Sequence, residues 1–388
     1  MVTPYRTLRS SASSYHRGKP ATAKSPPAPS TSTTLQSLED AGQRLLKLKA
    51  SELKEKLQTC GLGTVGSKPV LVERLLTTLQ PSSLDTSTQT PVRKQPRDEI
   101  VVSIDIGFRN LAYTVVSTQR GLTAWRTVDL AEDLEVSGLI QSPWATAQVV
   151  QNFVHRVLPT PAQMLREASR VVYIIERQRF RTVGFEQIPD AVLFINLIEP
   201  LIYANLINLG ARPAPALTYA HLGESPLSLA GVDPTLAAPV TTPDDPRRGA
   251  FVHPVNPATV SSFFNLNQRA EAILAERAEK RKFSGKDATT SGSKARSKLA
   301  KKKASIQLIT EYVDQVNQGP TILTDPRAVW TAGTRDVPLL PISPALEQGF
   351  RDSRKKDDMT DCLLQALAWL AWQSARDAET QALFGMKQ

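Results

Sequence analysis

The chain of 388 residues is long enough for two or three folded units, because an average domain takes roughly 100–200 residues. Its 47 Lys and Arg residues outnumber 37 Asp and Glu residues, and the formal net charge of +10 favours a polyanionic partner such as nucleic acid. The net charge is also compatible with an acidic protein or a membrane surface as the partner. The two cysteines, Cys60 and Cys362, are too few for a disulfide framework or a four-cysteine zinc site. No run of about eighteen apolar residues predicts a membrane helix, so we expect no membrane partner.

Residues 1–37 form a basic segment that is rich in Ser and Thr. Its lysines and arginines are Arg6, Arg9, Arg17, Lys19 and Lys24, and the first acidic residue of the chain is Glu39. This composition is typical of a mitochondrial or chloroplast transit peptide, and a disordered basic tail would have the same composition. Both interpretations of residues 1–37 stay open at this point.

Residues 38–80 predict two short helices around a glycine turn, with Ser51 as the N-cap of the first helix and Gly61 at its end. The string LKASELKEKLQTCGLGTVGSKPVLVERL resembles the SAP motif, a small helical DNA-binding hairpin. The resemblance implies that the basic side chains of this module contact phosphates in a salt-sensitive way: Lys49, Lys54, Lys56, Lys68 and Arg74. A protein-binding hairpin with a solvated charged face is the alternative.

Three predicted strands follow a stretch at 81–98 in which Pro, Ser and Thr predict a flexible tether. The strings EIVVSIDIG, LAYTVVS and LTAWRTVDL are apolar runs separated by short polar turns, a pattern that predicts an antiparallel meander. Asp105 lies near the end of the first run. A buried carboxylate costs several kcal/mol unless it is paired or binds a metal, so Asp105 is a candidate ligand; an Asp that caps the adjacent turn is the alternative.

A second apolar run, RVVYIIERQ, also ends in an acid, Glu176, with Arg177 and Arg179 close by. It follows a stretch with a helical pattern, so we expect it to return to the same sheet. Open α/β sheets bind their ligands at the carboxyl ends of the strands. Asp105 and Glu176 therefore both mark this edge of the predicted sheet.

Three acids begin a late amphipathic helix predicted over residues 354–373. In SRKKDDMTDCLLQALAWLAW, Asp357 and Asp358 lie four and three residues before Asp361, so the three side chains share one face of the helix. A single acid at a helix N-terminus is an ordinary partner of the helix dipole, but three crowded acids repel one another. A divalent cation relieves this repulsion, and a ligand set of oxygen atoms alone selects Mg²⁺ or Mn²⁺.

The three acid motifs occur in the order found in RNase H-like nucleases and recombinases. The strings SIDIGFRNLAYTVV, IIERQRFR and RKKDDMTDCLLQALAW resemble the fungal mitochondrial Holliday junction resolvases, relatives of bacterial RuvC, in which a SAP-like front end also occurs. The resemblance implies that Asp105, Glu176 and Asp361 bind metal, and either Asp357 or Asp358 is the fourth ligand. We therefore expect an α/β fold, with a five-stranded mixed sheet flanked by helices over residues 99–380.

The activity implied by the resemblance is endonucleolytic resolution of four-way DNA junctions in the mitochondrial matrix. Two Mg²⁺ or Mn²⁺ ions per site would promote in-line attack of water on a phosphodiester. Paired symmetric nicks in a two-fold symmetric junction need two active sites, so we expect a homodimer. Surface insertions are expected at about 221–250 and 283–300, where periodicity is poor.

Further basic residues are candidates for DNA contacts: Arg177, Arg179, Arg181, Lys301, Lys302, Lys303, Lys355 and Lys356. Residues 269–303 contain 12 basic and 4 acidic residues, most of the excess positive charge of the chain. A positive surface for phosphates is one interpretation, and a solvated loop that becomes a helix near Ile306 is the other. The three arginines have a competing salt-bridge partner in Glu186, and Lys355 and Lys356 have a competing solvent-facing interpretation.

Two other classes of protein share parts of this pattern. Phosphotransferases of the actin and sugar-kinase class also begin with an Asp-x-Gly strand pair, but they need glycine-rich loops around ATP that this chain lacks, so we expect no nucleotide cofactor. A non-catalytic DNA-binding protein of the same fold is the second alternative, and the complete set of acids argues against it.

Overall fold

The structure of the protein is a computed structural model that describes residues 31–80, 98–107, 111–130, 142–177, 190–213, 249–283, 293–317, 329–332 and 335–385. These residues form a three-helix module in the N-terminal part of the chain and an α/β domain built on a mixed sheet. No helix among them has the length and apolar character that a membrane crossing requires.

The N-terminal module consists of α1 (Thr31–Lys47), α2 (Ala50–Thr59) and α3 (Lys68–Leu79). Leucines on the inner faces of α2 and α3 share one core: Leu53, Leu57, Leu71, Leu75 and Leu79. Gly61 follows α2 with a φ of 71°, the left-handed conformation predicted for this turn. The predicted N-cap is wrong, because Lys49 occupies that position and its backbone N–H donates to Oε2 of Glu52 at 2.6 Å, whereas Ser51 lies inside α2.

The α/β domain contains a six-stranded mixed sheet in the order β3-β2-β1-β4-β6-β5. The strands are β1 (Glu99–Asp105), β2 (Leu111–Ser117), β3 (Gly121–Val128), β4 (Arg170–Glu176), β5 (Arg212–Pro213) and β6 (Gly249–Val255). The first three strands form the predicted antiparallel meander, and β4, β6 and β5 extend the sheet in parallel from β1. The sheet has one strand more than the expected five, because the two-residue β5 adds a short edge.

Both faces of the sheet are covered by helices, and this explains why its central strands are almost continuously apolar. Along β1, Val101 contributes to one hydrophobic core, whereas Ile100, Val102 and Ile104 contribute to the core on the opposite face. The alternation follows from the two-residue period of a strand.

The helices divide between the two faces. One core is closed by α4 (Pro143–Asn152), which continues into a π-helical turn (Phe153–Val157), by α5 (Pro161–Met164) and by α6 (Asp190–Asn208). The other core is closed by α7 (Pro257–Phe263), α9 (Ser293–Asn317), α10 (Pro344–Asp352), α11 (Lys356–Phe384) and a hairpin of β7 (Val329–Ala332) and β8 (Arg335–Pro338). The remaining helix, α8 (Leu266–Phe283), packs against α9 through the small residues Ala270, Ala300 and Ala304.

Three segments predicted to be irregular lie largely outside the described residues: 1–37, the tether at 81–98 and the insertion at 221–250. About half of the insertion predicted at 283–300 also lies outside them. The described part of the last segment is helical, because α9 begins at Ser293 rather than near Ile306. Its Lys, Arg and Ala residues have high helix propensity, so the basic run continues the apolar part of the same helix.

The final helix is longer than predicted, and the N-terminal module packs against its end. α11 extends to Phe384 rather than to residue 373, and its Leu383 is buried in the leucine core of the module. Nε of Arg376 donates to the carbonyl oxygen of Cys60 at 2.9 Å. The module is therefore in direct contact with the α/β domain, in addition to its connection through the chain.

Gly61 provides a test of this contact, because a Cβ added there would overlap the indole ring of Trp372 on α11. Gly385 has a similar φ of 65°, but no atom of the described residues lies within 4 Å of the added Cβ, so it is a matched control for backbone strain alone. Gly61→Ala should lower the free energy of unfolding by about 2–4 kcal/mol and Gly385→Ala by about 1 kcal/mol. Urea unfolding measures both values, and equal losses would show that the module does not pack on Trp372.

Candidate active site

Two carboxyl groups meet where the two central strands of the sheet end. Asp105 is the last residue of β1 and Glu176 is the last residue of β4. These strands are parallel neighbours with Ile104 opposite Ile175, so both acids lie at the same edge of the sheet, as their positions in the sequence predict. Burial, the negative charge of Glu176 and a hydrogen bond between the two carboxyl groups raise the pKa of Asp105 well above its usual range.

The first turns of α11 bring three more acids to this edge. α11 packs along β1 and β2, and Nε1 of Trp125 donates to the carbonyl oxygen of Met359 at 2.7 Å, which fixes the start of the helix on the sheet. Asp361 thereby comes close to Asp105. Burial, followed by the negative charges of Asp105 and Asp358, raises the pKa of Asp361 to about 8.

The neighbouring residues Asp357 and Asp358 have different environments. Burial tends to raise the pKa of Asp357, but a hydrogen bond from Lys302, its positive charge and backbone N–H groups at the start of α11 outweigh burial and lower this pKa overall. Burial and the charge of Asp357 raise the pKa of Asp358. Asp358 interacts electrostatically with Asp105 and Asp361, so it belongs to the crowded centre of the cluster.

A buried glutamine orients Glu176, and the sequence interpretation missed it. Nε2 of Gln365 donates to Oε2 of Glu176 at 3.0 Å, and Oε1 of Gln365 accepts from Oγ of Ser103 at 3.1 Å. Gln365 lies one helical turn after Asp361, on the face of α11 that packs against the sheet. The sequence does indicate Gln365, because it is the one polar residue in the apolar run LLQALAWLAW and a buried amide needs polar partners.

The donor chemistry of the cluster fits a hard divalent cation. Its side chains present carboxylate oxygens, and one shared hydrogen bond and one lysine offset part of their repulsion. Carboxylates are the preferred ligands of Mg²⁺ and Mn²⁺. Within the described parts of the chain, no three His, Cys, Asp or Glu side chains are already arranged as a metal cage. The hydrogen bond between Asp105 and Glu176 would have to open for these groups to bind an ion.

Most candidate DNA-contacting residues of the α/β domain are among the described residues: Arg177, Lys301, Lys302, Lys303, Lys355 and Lys356. The other two, Arg179 and Arg181, lie outside the described residues. Nζ of Lys302 donates to Oδ2 of Asp357 and so enters the acidic cluster, which the sequence interpretation did not anticipate. Lys355 and Lys356 flank the start of α11, where Lys355 is exposed and Lys356 is half-buried. Arg177 directly follows β4, beside Glu176.

The candidate residues of the N-terminal module also separate into two groups. Lys49 and Lys54 are exposed and Lys68 is half-buried. Lys56 forms an ion pair with Glu379 of α11 at 2.5 Å, and Nη1 of Arg74 donates to two backbone carbonyls of the loop between α2 and α3. Lys56 and Arg74 therefore support the structure of the module and its contact with α11, whereas Lys49 and Lys54 face solvent.

Comparisons with known proteins show which family models, relatives and solved structures are similar to this chain. The family model described as "Mitochondrial resolvase Ydc2 / RNA splicing MRS1" matches residues 101–378, and the SAP domain model matches residues 44–80. The mitochondrial cruciform cutting endonuclease 1 of Saccharomyces cerevisiae is 22% identical over 298 residues, which cover 73% of this chain and 71% of the relative. The crystal structure of the yeast mitochondrial Holliday junction resolvase Ydc2 covers 86% of this chain and 98% of its own, with 18% identity and a TM-score of 0.43.

Gln365→Met tests whether this glutamine holds the cluster. The substitution keeps the size of the side chain but leaves the Ser103 hydroxyl and Glu176 without their amide partner, so we expect the free energy of unfolding to fall by about 1–3 kcal/mol. Gln373→Met, on a later turn of α11, is the control for helix propensity. It should change the free energy of unfolding by less than about 0.5 kcal/mol. Urea unfolding of both variants in EDTA measures the difference; equal values would contradict the assigned role.

Asp361→Asn tests the electrostatic strain of the cluster. Since the pKa of Asp361 is about 8 in the folded protein, the folded state binds this proton more tightly than the unfolded chain. The stability contribution is therefore fully present below the unfolded pKa of about 3.9 and is lost as pH rises towards 8. Asn at this position carries no charge, so the variant should not show this loss.

In EDTA at pH 8, we expect the free energy of unfolding of Asp361→Asn to be about 1–2 kcal/mol higher than that of the unmodified protein. This value allows for solvent screening of a half-buried group. The difference should shrink at pH 5. Asp377→Asn removes an exposed acid from the same helix and serves as the control. A variant that is less stable than the unmodified protein at pH 8 would be incompatible with repulsion at Asp361.

Proposed function

The chain belongs to the family of mitochondrial resolvase Ydc2 and RNA splicing MRS1, and from this premise we propose that it is an endonuclease that resolves four-way DNA junctions in the mitochondrial matrix. The observation that carries the proposal is the meeting of Asp105, Glu176 and Asp361 at one edge of the sheet. These acids come from three motifs that are far apart in sequence. A protein that only bound DNA would gain nothing from gathering acids, since they repel phosphates.

The carboxylates support hydrolysis of a phosphodiester with Mg²⁺ or Mn²⁺, two ions in each site. When bound, the ions would supply an activated water and stabilise the departing 3′ oxygen. Asp105, Glu176, Asp361 and one or both of Asp357 and Asp358 would hold them. All five acids are half-buried where the strands end and α11 begins.

The surrounding residues support a role in orienting the acids and the substrate. Gln365 restrains Glu176 from the buried side. Lys355 and Lys356, at the start of α11, carry positive charge beside the acids, where a phosphate of the substrate would approach. The products would carry a 5′-phosphate and a 3′-hydroxyl.

The N-terminal module supports binding of a long polyanion. Its SAP match and the net charge of +10 favour phosphate contacts, and Lys49 and Lys54 present their charges to solvent. Because the module packs on α11, these contacts would act at a defined position relative to the acids. A second copy of the chain would supply the second nick, since a junction with two-fold symmetry needs two active sites.

The test uses a synthetic four-way junction with end-labelled strands and Mg²⁺. We expect paired nicks at symmetric positions on opposite strands, no cleavage in EDTA, and a loss of at least about a hundredfold in cleavage rate for Asp105→Asn, with junction affinity retained. Asp352→Asn, an exposed acid on α10, should cleave like the unmodified protein. Tight junction binding without cleavage by the unmodified protein would instead support a non-catalytic DNA-binding protein of the same fold.

A further inference from the structure

A lysine from a different helix enters the acidic cluster. Lys302 lies on α9, and its ammonium group donates to Oδ2 of Asp357 in an ion pair whose side chains are 43% and 24% exposed, respectively. The two residues are 55 positions apart in sequence. The contact therefore depends on the packing of α9 against α11 and not on local chain geometry.

The position of Lys302 is fixed by the buried face of its helix. Ala300 and Ala304, on either side of it along α9, are buried against α8, and Leu308 is buried in the core beneath α11. The adjacent Lys303 is exposed and contributes to lowering the pKa of Glu276 on α8. Lys302 thus points towards α11, whereas Lys303 lies near α8.

Four acids interact electrostatically with Lys302. Asp357, Asp358 and Asp361 come from α11 and Asp105 from β1, and the positive charge of Lys302 acts on the pKa of each of them. Lys355 also acts on this group, through Asp358. An ammonium group in this position compensates part of the repulsion that would otherwise oppose folding of the cluster.

We propose that Lys302 is a positioning residue that serves as the internal counter-ion of the carboxylate cluster and competes with a divalent cation for Asp357. The competition rests on the proposed function, whereas the counter-ion role rests on the ion pair alone. Lysine suits this role, because its ammonium is a point charge on a flexible stem that can leave a carboxylate without disturbing the helix. Contact with a DNA phosphate, as the sequence suggested, would follow only once Asp357 is released.

The first experiment measures thermal unfolding of the full chain in EDTA. Lys302→Met should lower Tm by about 1–3 °C because the acids lose their counter-ion, and Lys302→Arg, which keeps the charge, should restore most of the loss. Lys303→Met is the matched control and should leave Tm unchanged. In a double-mutant cycle, the loss caused by Lys302→Met should be smaller in an Asp357→Asn background.

The second experiment titrates Mn²⁺ alone into the same proteins by calorimetry. Lys302→Met should bind Mn²⁺ about two- to fivefold more tightly than the unmodified protein, while Lys302→Arg and Lys303→Met should bind it as the unmodified protein does. Unchanged or weaker Mn²⁺ binding by Lys302→Met would overturn the competition, and an unchanged Tm in EDTA would overturn the counter-ion role. An unmodified protein that binds no Mn²⁺ while the EDTA results are as expected would support the counter-ion and reject the metal site of the proposed function.

Discussion

Repulsion among five carboxylates is the constraint on which the arrangement of this protein depends. Asp105, Glu176 and the three acids of α11 share one sheet edge, where burial and like charge raise the pKa of Asp105, Asp358 and Asp361. Three interactions offset part of the repulsion among these carboxylates: the hydrogen bond between Asp105 and Glu176, the ion pair of Lys302 with Asp357, and the N–H groups at the start of α11. Under the proposed function, a bound divalent cation would replace these interactions, since its charge is larger than that of a lysine or of backbone N–H groups.

The final helix connects this strained edge to the rest of the molecule. Its first turns carry the acids, its middle buries Leu363, Leu367 and Trp369 against the sheet, and its last turns complete the core of the N-terminal module with Leu383. The same rigid element therefore sets the position of the acids and that of the DNA-binding candidate module. A helix of 29 residues suits this purpose, since it spans about 1.5 Å for each residue.

Local patterns were sufficient for the strands and for the acids at their ends. The apolar runs before Asp105 and Glu176 predicted β1 and β4, and the parallel pairing of these strands brings the two acids side by side. Local patterns failed where several outcomes are close in energy. Lys49 rather than Ser51 precedes α2, and the basic run before Ile306 is helical, because capping and propensity differences of about 1 kcal/mol are decided by the surrounding packing.

The sequence by itself determined the main strands and the order of the acid motifs, because periods of two and 3.6 residues are properties of neighbouring positions. The fold class followed from the resemblance of those motifs to a known family. Only the tertiary structure decided which groups surround the acids. Gln365 reaches Glu176 across 189 positions, Lys302 reaches Asp357 across 55, and Arg376 reaches the carbonyl of Cys60 across 316. Contacts over such separations depend on how complete helices and strands pack, and no local pattern contains that information.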